Sequence, residues 1–322
     1  MGSNFIHFLL KTEPYISIVN LDALTYAGNR ENLVGLDEQH YRFVQGDIAD
    51  ETLVRRLMKE ADTVVNFAAE THVDRSIHEN RLSFVHTNID GVYTLLEALR
   101  ESPTVKRMVH ISTDEVWGDL PLNSKEQFDE ESPFKPNSPY AASKAGGDML
   151  IRAYVKTYDV PVIVSHSVNN FGPRQFPEKI IPFFTLQARE GNPLPLYGDG
   201  TNVRDWLYVD DHSSAILTLL QKGVVGDVYA ISAGEEHANI DIARTILRIL
   251  GKSEDGITFV KDRPAHDLRY SVNSAKLQAL GWKPRSTFEE KLKETVAWYA
   301  ENPSWLAAAM RAQKNINAHI TT

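Results

Sequence analysis

The stretch Met108-Val109-His110-Ile111-Ser112-Thr113-Asp114-Glu115-Val116-Trp117-Gly118 is an apolar run that stops abruptly at a hydroxyl and two carboxyls. A run of this kind reads as a buried strand of an α/β sheet. It delivers polar side chains at its carboxyl end, where open parallel sheets put their sites. Further on, Tyr140-Ala141-Ala142-Ser143-Lys144 puts a phenol and an amine at i and i+4, on one face of a helix. Ser138 and Pro139 ahead of it are an N-cap and a first-turn signal. An ammonium beside a phenol favours the phenolate, so the pair can act as a base. A hydroxyl, two carboxyls, a phenol and an amine can together run a redox step and a proton-shuttling elimination.

The same alternation runs along the chain. Met1 to Leu10 reads as a helix, with Phe5, Phe8 and Leu9 at helical spacing. Ile16–Asp22, Tyr41–Ile48 and Thr63–Ala69 read as strands, and Glu51–Lys59 as an amphipathic helix between the second and third. Phe84 to Arg100 reads as one long helix and Pro121 to Pro136 as an acidic, proline-bearing surface loop. Val160–Val164, Leu194–Gly200 and Asp227–Ser232 are further strands, and a helix is expected from Asn239 to Leu250. From Ser286 a closing amphipathic helix ends at Trp298-Tyr299, followed by a polar tail.

With 322 residues, 42% of them hydrophobic and 24% charged, the chain has enough material for one large or two modest domains with a substantial core. A net charge of -9 argues against a nucleic-acid or anionic-membrane surface but leaves room for a local basic pocket for phosphate. No cysteine is present, so neither a disulfide nor a thiolate metal site is possible. The histidines show no ligand spacing, and no metal is implied. No apolar run approaches the ~20 residues that span a bilayer, and no signal peptide is read at the N-terminus. The expectation is a cytoplasmic protein.

The Tyr-x-x-x-Lys pair downstream of a strand-end threonine resembles the extended short-chain dehydrogenase/reductase superfamily. The triplet Thr113-Asp114-Glu115 narrows the likeness to the dTDP-glucose 4,6-dehydratases, nucleotide-sugar enzymes of deoxysugar (often rhamnose) synthesis. Leu24-Thr25-Tyr26-Ala27-Gly28-Asn29, Phe176-Pro177-Glu178-Lys179 and Arg263-Pro264-Ala265-His266-Asp267-Leu268-Arg269-Tyr270 carry the resemblance onward, over nearly the whole chain from Gly2 to about Trp298. Four positions depart from the pattern. His166 stands for an arginine, Val168 for a serine, Trp117 for a tyrosine and Ala265 for a glycine. The last makes positive φ harder to adopt.

The resemblance implies a Rossmann-like doubly wound parallel sheet over residues 1–170 that binds NAD. A smaller C-terminal α/β substrate domain over 171–322 follows, its elements interleaved with the first. It implies catalysis by Thr113, Asp114, Glu115, Tyr140 and Lys144. NAD would meet Gly2, Asp22, Asp47, Ile48, Ala68, Ala69 and Thr87, together with Tyr140 and Lys144. Asp22 would bind the adenosine ribose and disfavour NADP. On its residues alone it could equally be a strand-end turn aspartate, and Ala68 and Ala69 could serve tight helix–strand packing.

The nucleotide sugar, dTDP-glucose, would meet Thr71, Asn169, Asn170, Glu178, Lys179, Pro195, Tyr197, Arg204, Asn239, Arg263 and His266. Arg204 would clamp the diphosphate; its alternative is an ion pair with Asp205. Glu178 and Lys179 could instead be a helix-start pair on a solvated face, and His72 with Arg75 a solvated loop. The helix from Phe84 and that of Tyr140 would build a homodimer's four-helix bundle, or serve as intrachain core.

The superfamily opens with a strand and a Gly-x-x-Gly-x-x-Gly turn, of which Gly2 would match only the third glycine. That strand is central in a doubly wound sheet, so a gap is expected between its neighbours. The expected explanation is a natural start further upstream; the other is a chain this short with impaired cofactor binding. Two other functions stay open: a related NAD-dependent epimerase or decarboxylase, which keeps Tyr140 and Lys144 but usually lacks the Asp-Glu pair, and a non-catalytic nucleotide-sugar-binding protein.

Overall fold

Helix α1 (Gly2–Thr12) turns Phe5 and Leu9 inward, as its spacing predicts, and buries Ile6 in place of Phe8, which is half-buried. The computed structural model describes residues 1–311. Strands β1 (Ile18–Asp22) and β2 (Tyr41–Gln45) pair in parallel, from Ile18 against Tyr41 to Asp22 against Gln45. Helix α2 (Glu51–Met58) starts at Asp50, whose carboxylate accepts from the Leu53 N–H. Strand β3 (Thr63–Asn66) follows.

Helices α3 (Val73–His78), α4 (Arg81–Val85) and α5 (Val92–Arg100) lead on, the last two joined through a π turn over His86–Gly91. The single helix expected from Phe84 to Arg100 is therefore corrected in two ways. It begins at Arg81, and it is interrupted. The interruption has a cause: the Asn88 side chain donates to the Glu70 carbonyl (3.0 Å) and the Ser143 hydroxyl (2.9 Å) and accepts from the Glu70 N–H (3.0 Å). Holding that amide distorts the i→i−4 ladder, a pattern frequent near functional sites.

Strand β4 (Arg107–Thr113) is buried beyond its first residue, and helix α6 (Pro139–Tyr158) begins under the Ser138 cap, whose hydroxyl accepts from Ala141 N–H. The strands β5 (Val162–Ser167) and β6 (Asn169–Phe171) come next, then helix α7 (Ile180–Glu190), strands β7 (Leu194–Tyr197) and β8 (Val203–Tyr208), and helix α8 (Val209–Lys222). Strands β9 (Val228–Ile231) and β10 (Glu236–Ala238), helix α9 (Asn239–Ile249), strand β11 (Ile257–Val260) and helix α10 (Ala275–Ala279) lead to α11 (Phe288–Glu301). Beyond it the expected polar tail is in part a further helix, α12 (Pro303–Arg311), which buries Leu306 and Ala309. The rest of that tail lies outside the described residues.

Four parallel strands form one sheet in the order β3-β4-β5-β9, while β1 and β2 form a separate pair. The gap expected between their edges is thus present. Helices cover both faces of the larger sheet, the arrangement that all-parallel strands require because both of their faces are apolar. On one face Phe5 and Leu9 of α1 and Ile216 and Leu219 of α8 meet Val109, Ile111 and Ile163. On the other, Val92 and Leu96 of α5 and Ile151 of α6 meet Met108, Val162 and Val164. Side chains of this size each contribute ~2 kcal/mol on burial.

A second core lies in the C-terminal half, where Phe171, Ile181, Phe184, Leu194, Trp206, Ile246 and Leu292 come together. It is built on the sheet β10-β8-β6 and the parallel pair β7-β11. The halves interleave, because α8 and β9 return to the first sheet. Among the described residues no helix is long and apolar enough to cross a membrane. None of their His, Asp and Glu side chains group to hold a metal ion.

Candidate active site

Strand β4 ends at Thr113, and the chain turns at once into a single 3-10 turn, Asp114–Trp117. The Thr113 hydroxyl caps this turn, accepting from Glu115 N–H at 3.3 Å and donating to Asp114 Oδ1 at 3.2 Å. Gly118 ends it at φ +83, with the Lys135 carbonyl 2.6 Å from where a Cβ would sit, so only glycine fits. Across from the turn, α6 presents Tyr140 in its first turn. Lys144 lies one turn on, where its Nζ donates to the Ile111 carbonyl at 2.8 Å. Thr113, Asp114, Tyr140 and Lys144 are buried, while Glu115 is half-buried on the wall of a cavity.

The charges of these groups are set by their surroundings. Burial pushes the Asp114 carboxyl well above the usual carboxylate range, and the neighbouring Glu115 and Asp205 push it further. Glu115 is also raised by burial, but Arg263, Arg204 and Lys179 pull it back. Burial raises the Tyr140 phenol, as does the charge of Glu115, while a hydrogen bond with Thr113 opposes them. Lys144 is lowered by burial to about 8, against the raising charge of Asp148.

All eleven residues expected at the substrate line the cavity that Glu115 and Tyr140 face. Thr71 comes from the loop after β3, Asn169 and Asn170 from β6, and Glu178 and Lys179 from the approach to α7. Pro195 and Tyr197 come from β7, Arg204 from β8, Asn239 from the start of α9, and Arg263 and His266 from the loop after β11. Arg204 does not pair with Asp205. Its guanidinium donates to the carbonyls of Val203 (2.8 Å) and Asp267 (2.9 Å) and lies 4.2 Å over the Tyr270 ring. Asp205 instead accepts from Ser232 and from the N–H groups of Gly234 and Glu235. Ala265, despite its Cβ, adopts φ +51, which corrects the expectation drawn from its side chain. His266 beside it donates from Nδ1 to Asp262 Oδ1 at 2.6 Å, and burial and Arg263 lower it to about 4, so its ring is neutral at pH 7.

Sequence reasoning did not single out Tyr26, Asp74 or Tyr270. Tyr26 donates to Glu178 Oε1 at 3.0 Å and lies under the Arg75 guanidinium at 3.7 Å. Asp74 and Tyr270 line the cavity, Asp74 3.9 Å from Arg263. Tyr26 does stand in one of the motif runs, so a signal for it was present. His72, which also lines the cavity, holds φ +80, a strained value for a residue with a Cβ.

The residues expected at the dinucleotide, apart from Tyr140, lie outside the cavity: Asp22, Asp47, Ile48, Ala68 and Ala69 follow the carboxyl ends of β1, β2 and β3, and Gly2, Thr87 and Lys144 come from α1, the π turn and α6. Asp22 is exposed at the end of β1, accepting from Leu24 N–H at 2.7 Å. After β2, Asp47 accepts from Ala49 N–H (2.8 Å) and meets His86 (3.1 Å), and Ile48 is buried next to it. Ala68 and Ala69 follow β3, Thr87 lies in the π turn, and Gly2 opens α1 beside the Phe67 ring. The donor set fits a dinucleotide: a strand-end acid for a ribose, small residues where backbone must be approached, and a buried cation with a phenol at the far end.

The family model for GDP-mannose 4,6 dehydratase matches residues 1–295. The chain is 48% identical over 300 residues to the low-salt glycan biosynthesis protein Agl12 of Haloferax volcanii, covering 93% of this chain and 95% of that one. It is 46% identical over 307 residues to the dTDP-glucose 4,6-dehydratase of Mycobacterium tuberculosis, covering 95% and 92%. The crystal structure of DesIV, the dTDP-glucose 4,6-dehydratase of Streptomyces venezuelae with NAD and dTDP bound, superposes with a TM-score of 0.92 at 44% identity, covering 96% of each chain.

Proposed function

The chain belongs to the GDP-mannose 4,6-dehydratase family within the extended short-chain dehydrogenase/reductases, and from that premise we propose how its residues remove water from dTDP-glucose. It is an NAD-dependent hydro-lyase that makes dTDP-4-keto-6-deoxy-glucose. The observation that carries the assignment of roles is the contrast between two adjacent carboxyls. Burial and two acids push Asp114 well up against Arg204 alone among charges, whereas burial and Asp267 raise Glu115 against three cations, Arg263, Arg204 and Lys179. Two carboxyls held apart in this way supply one acid and one base.

NAD, when bound, would supply reversible hydride storage between C4 and C6 of the sugar. The Tyr140 phenolate removes the proton of the 4-hydroxyl. Lys144, as an ammonium, favours that phenolate, and its reach to the strand end suits the nicotinamide ribose. Thr113 hydrogen-bonds near the 4-oxygen. The 4-ketone acidifies C5, and Glu115 removes that proton. Asp114 gives its own proton to the 6-hydroxyl, which leaves as water, and once C6 has regained hydride Glu115 returns a proton to C5. Lys179, Arg204 and Arg263 bring positive charge to the diphosphate, Arg204 with its plane fixed by two carbonyls and a ring. Asp22, Asp47, Ile48, Ala68, Ala69, Thr87 and Gly2 hold the dinucleotide.

Residues 1–170 serve as the NAD-binding part and 171–322 as the nucleotide-sugar part. A homodimer through a four-helix bundle of α4–α5 and α6 is supported by apolar side chains those helices expose: Leu82 (77% exposed), Val85, Tyr93 and Met149. A cytoplasmic setting, where NAD is available, suits the chemistry. The substitution Glu115→Gln tests the roles. NAD binding should be retained, while turnover falls by about 100-fold or more for loss of a general base. Wild-type turnover by this variant would contradict the assignment.

A further inference from the structure

Behind the phenol and the amine lies a buried polar chain that the reaction steps above leave unused. Asp148 follows Lys144 by one turn on α6 and is 4% exposed. Its Oδ2 accepts from the Ser112 hydroxyl (2.6 Å) and meets His166 Nε2 (3.0 Å). Its Oδ1 has no hydrogen-bond partner and lies 3.7 Å from His110 Nε2. Nε2 of His110 is also 3.3 Å from Lys144 Nζ.

The tautomer of His110 follows from its other neighbour. Ala68 N–H donates to Asn66 Oδ1 at 3.1 Å, which turns the Asn66 amide nitrogen toward His110 Nδ1 at 3.1 Å. Nδ1 therefore accepts, and the ring proton sits on Nε2. That N–H has two possible acceptors. A neutral Lys144 amine could take it, but an ammonium cannot accept. With Lys144 charged, that N–H faces Asp148 Oδ1, which at 3.7 Å is an electrostatic contact and not a hydrogen bond. A buried carboxylate with one oxygen left open in this direction fits a charge waiting on the lysine.

We infer that Asp148, held by Ser112 and His166, is the buried counterion that keeps Lys144 an ammonium, with His110 as the link between them. Asp148 is then a positioning residue, and the inference rests on the role given to Lys144 above. Burial raises Asp148, but its hydrogen bond with His166 and the charge of Lys144 carry it below the usual range overall, consistent with an ionised group. Burial drives His110 to about 3, so that ring stays neutral. The chain's departure at His166 matters here. An arginine at that place brings a permanent charge to the carboxylate, whereas a histidine can hold it through one neutral N–H.

The other charged and titratable groups around Lys144 are Tyr140 on its own helix, and Asp114 and Glu115 in the turn after β4. Those on the helices packed on α6 are engaged elsewhere: Asp74 of α3 faces Arg263, Arg81 of α4 bonds the Ile77 carbonyl, His86 of the π turn faces Asp47, and Glu97 of α5 accepts from Tyr154.

The test is ¹³C NMR of the full-length enzyme with ¹³Cε-lysine, the Lys144 signal being identified by its loss in Lys144→Arg. The Lys144 midpoint should fall by about one pH unit in Asp148→Asn, a tenfold loss of ammonium above that midpoint. His166→Arg, which brings a permanent positive charge onto Asp148, should also lower it. Ser112→Ala removes a hydrogen bond without a charge and should leave it in place. The alkaline limb of kcat should move with the midpoint, with KM unchanged. An unmoved midpoint in His166→Arg and in folded Asp148→Asn overturns the counterion, whatever happens to activity. A moved midpoint with an unmoved pH–rate profile upholds the counterion and contradicts the role of Lys144 in the base pair instead.

Discussion

Asp114 and Glu115 are neighbours with the same chemistry and different balances of charge around them. The first sits behind the turn among acids, and the second faces a cavity into which Lys179, Arg204 and Arg263 bring positive charge. Their presence was legible in the sequence, because a strand that ends in Thr-Asp-Glu has few other uses. Which of them holds the proton was implied by the resemblance alone and not by the residues themselves, since it depends on Asp205 and on three cations that arrive from the second half of the chain. Tyr26 escaped for the same reason: its partner Glu178 is 152 residues away. Ala265 shows a different limit. A side chain makes positive φ costly, yet the fold imposes φ +51 there. A left-handed residue with a Cβ is strained by about 1–2 kcal/mol, part of which glycine's extra unfolded freedom offsets. Ala265→Gly should therefore raise stability by up to about 1 kcal/mol in a denaturant titration. A loss of stability would mean that the Ala265 methyl group contributes more than its strain costs.

Among the elements, α6 carries most of the chemistry, and its start was readable from Ser138 and Pro139. The Ser138 hydroxyl accepts from Ala141 N–H at 3.1 Å and so fixes the turn that holds Tyr140. Ser138→Ala should cost about 1 kcal/mol of stability, measured by urea unfolding, and should lower kcat as the Tyr140 turn frays. Unchanged kcat with the full stability loss would show that Tyr140 is held by its packing alone. The π turn over His86–Gly91 was not readable, because apolar periodicity does not distinguish a wider turn from the helix around it. What creates it is the Asn88 amide, clamped between Glu70 and Ser143. Helix α12 was missed because it is short and follows an Asn-Pro step, which reads as a stop.

At the scale of the molecule, strand and helix alternation was enough to foresee parallel strands covered on both faces. The order β3-β4-β5-β9 was not: β9 arrives from beyond α8, and no local pattern says that a late strand returns to an early sheet. The exposed apolar side chains of α4, α5 and α6 lead to a prediction about assembly. Leu82→Glu combined with Met149→Glu should turn a dimer into a monomer in sedimentation velocity, while leaving the circular dichroism spectrum intact. A dimer that survives both charges would move the interface elsewhere.

The central claim is that one carboxyl takes a proton from C5 while its neighbour sends the 6-hydroxyl away as water. The most direct test is mass spectrometry of the product formed from dTDP-glucose and NAD in D₂O, with the position of deuterium read by NMR. The account predicts a nucleotide sugar lighter by one water, carrying solvent deuterium at C5 and the substrate's own C4 hydrogen at C6. A product of unchanged composition, epimerised at C4 and free of deuterium at C5, would contradict it.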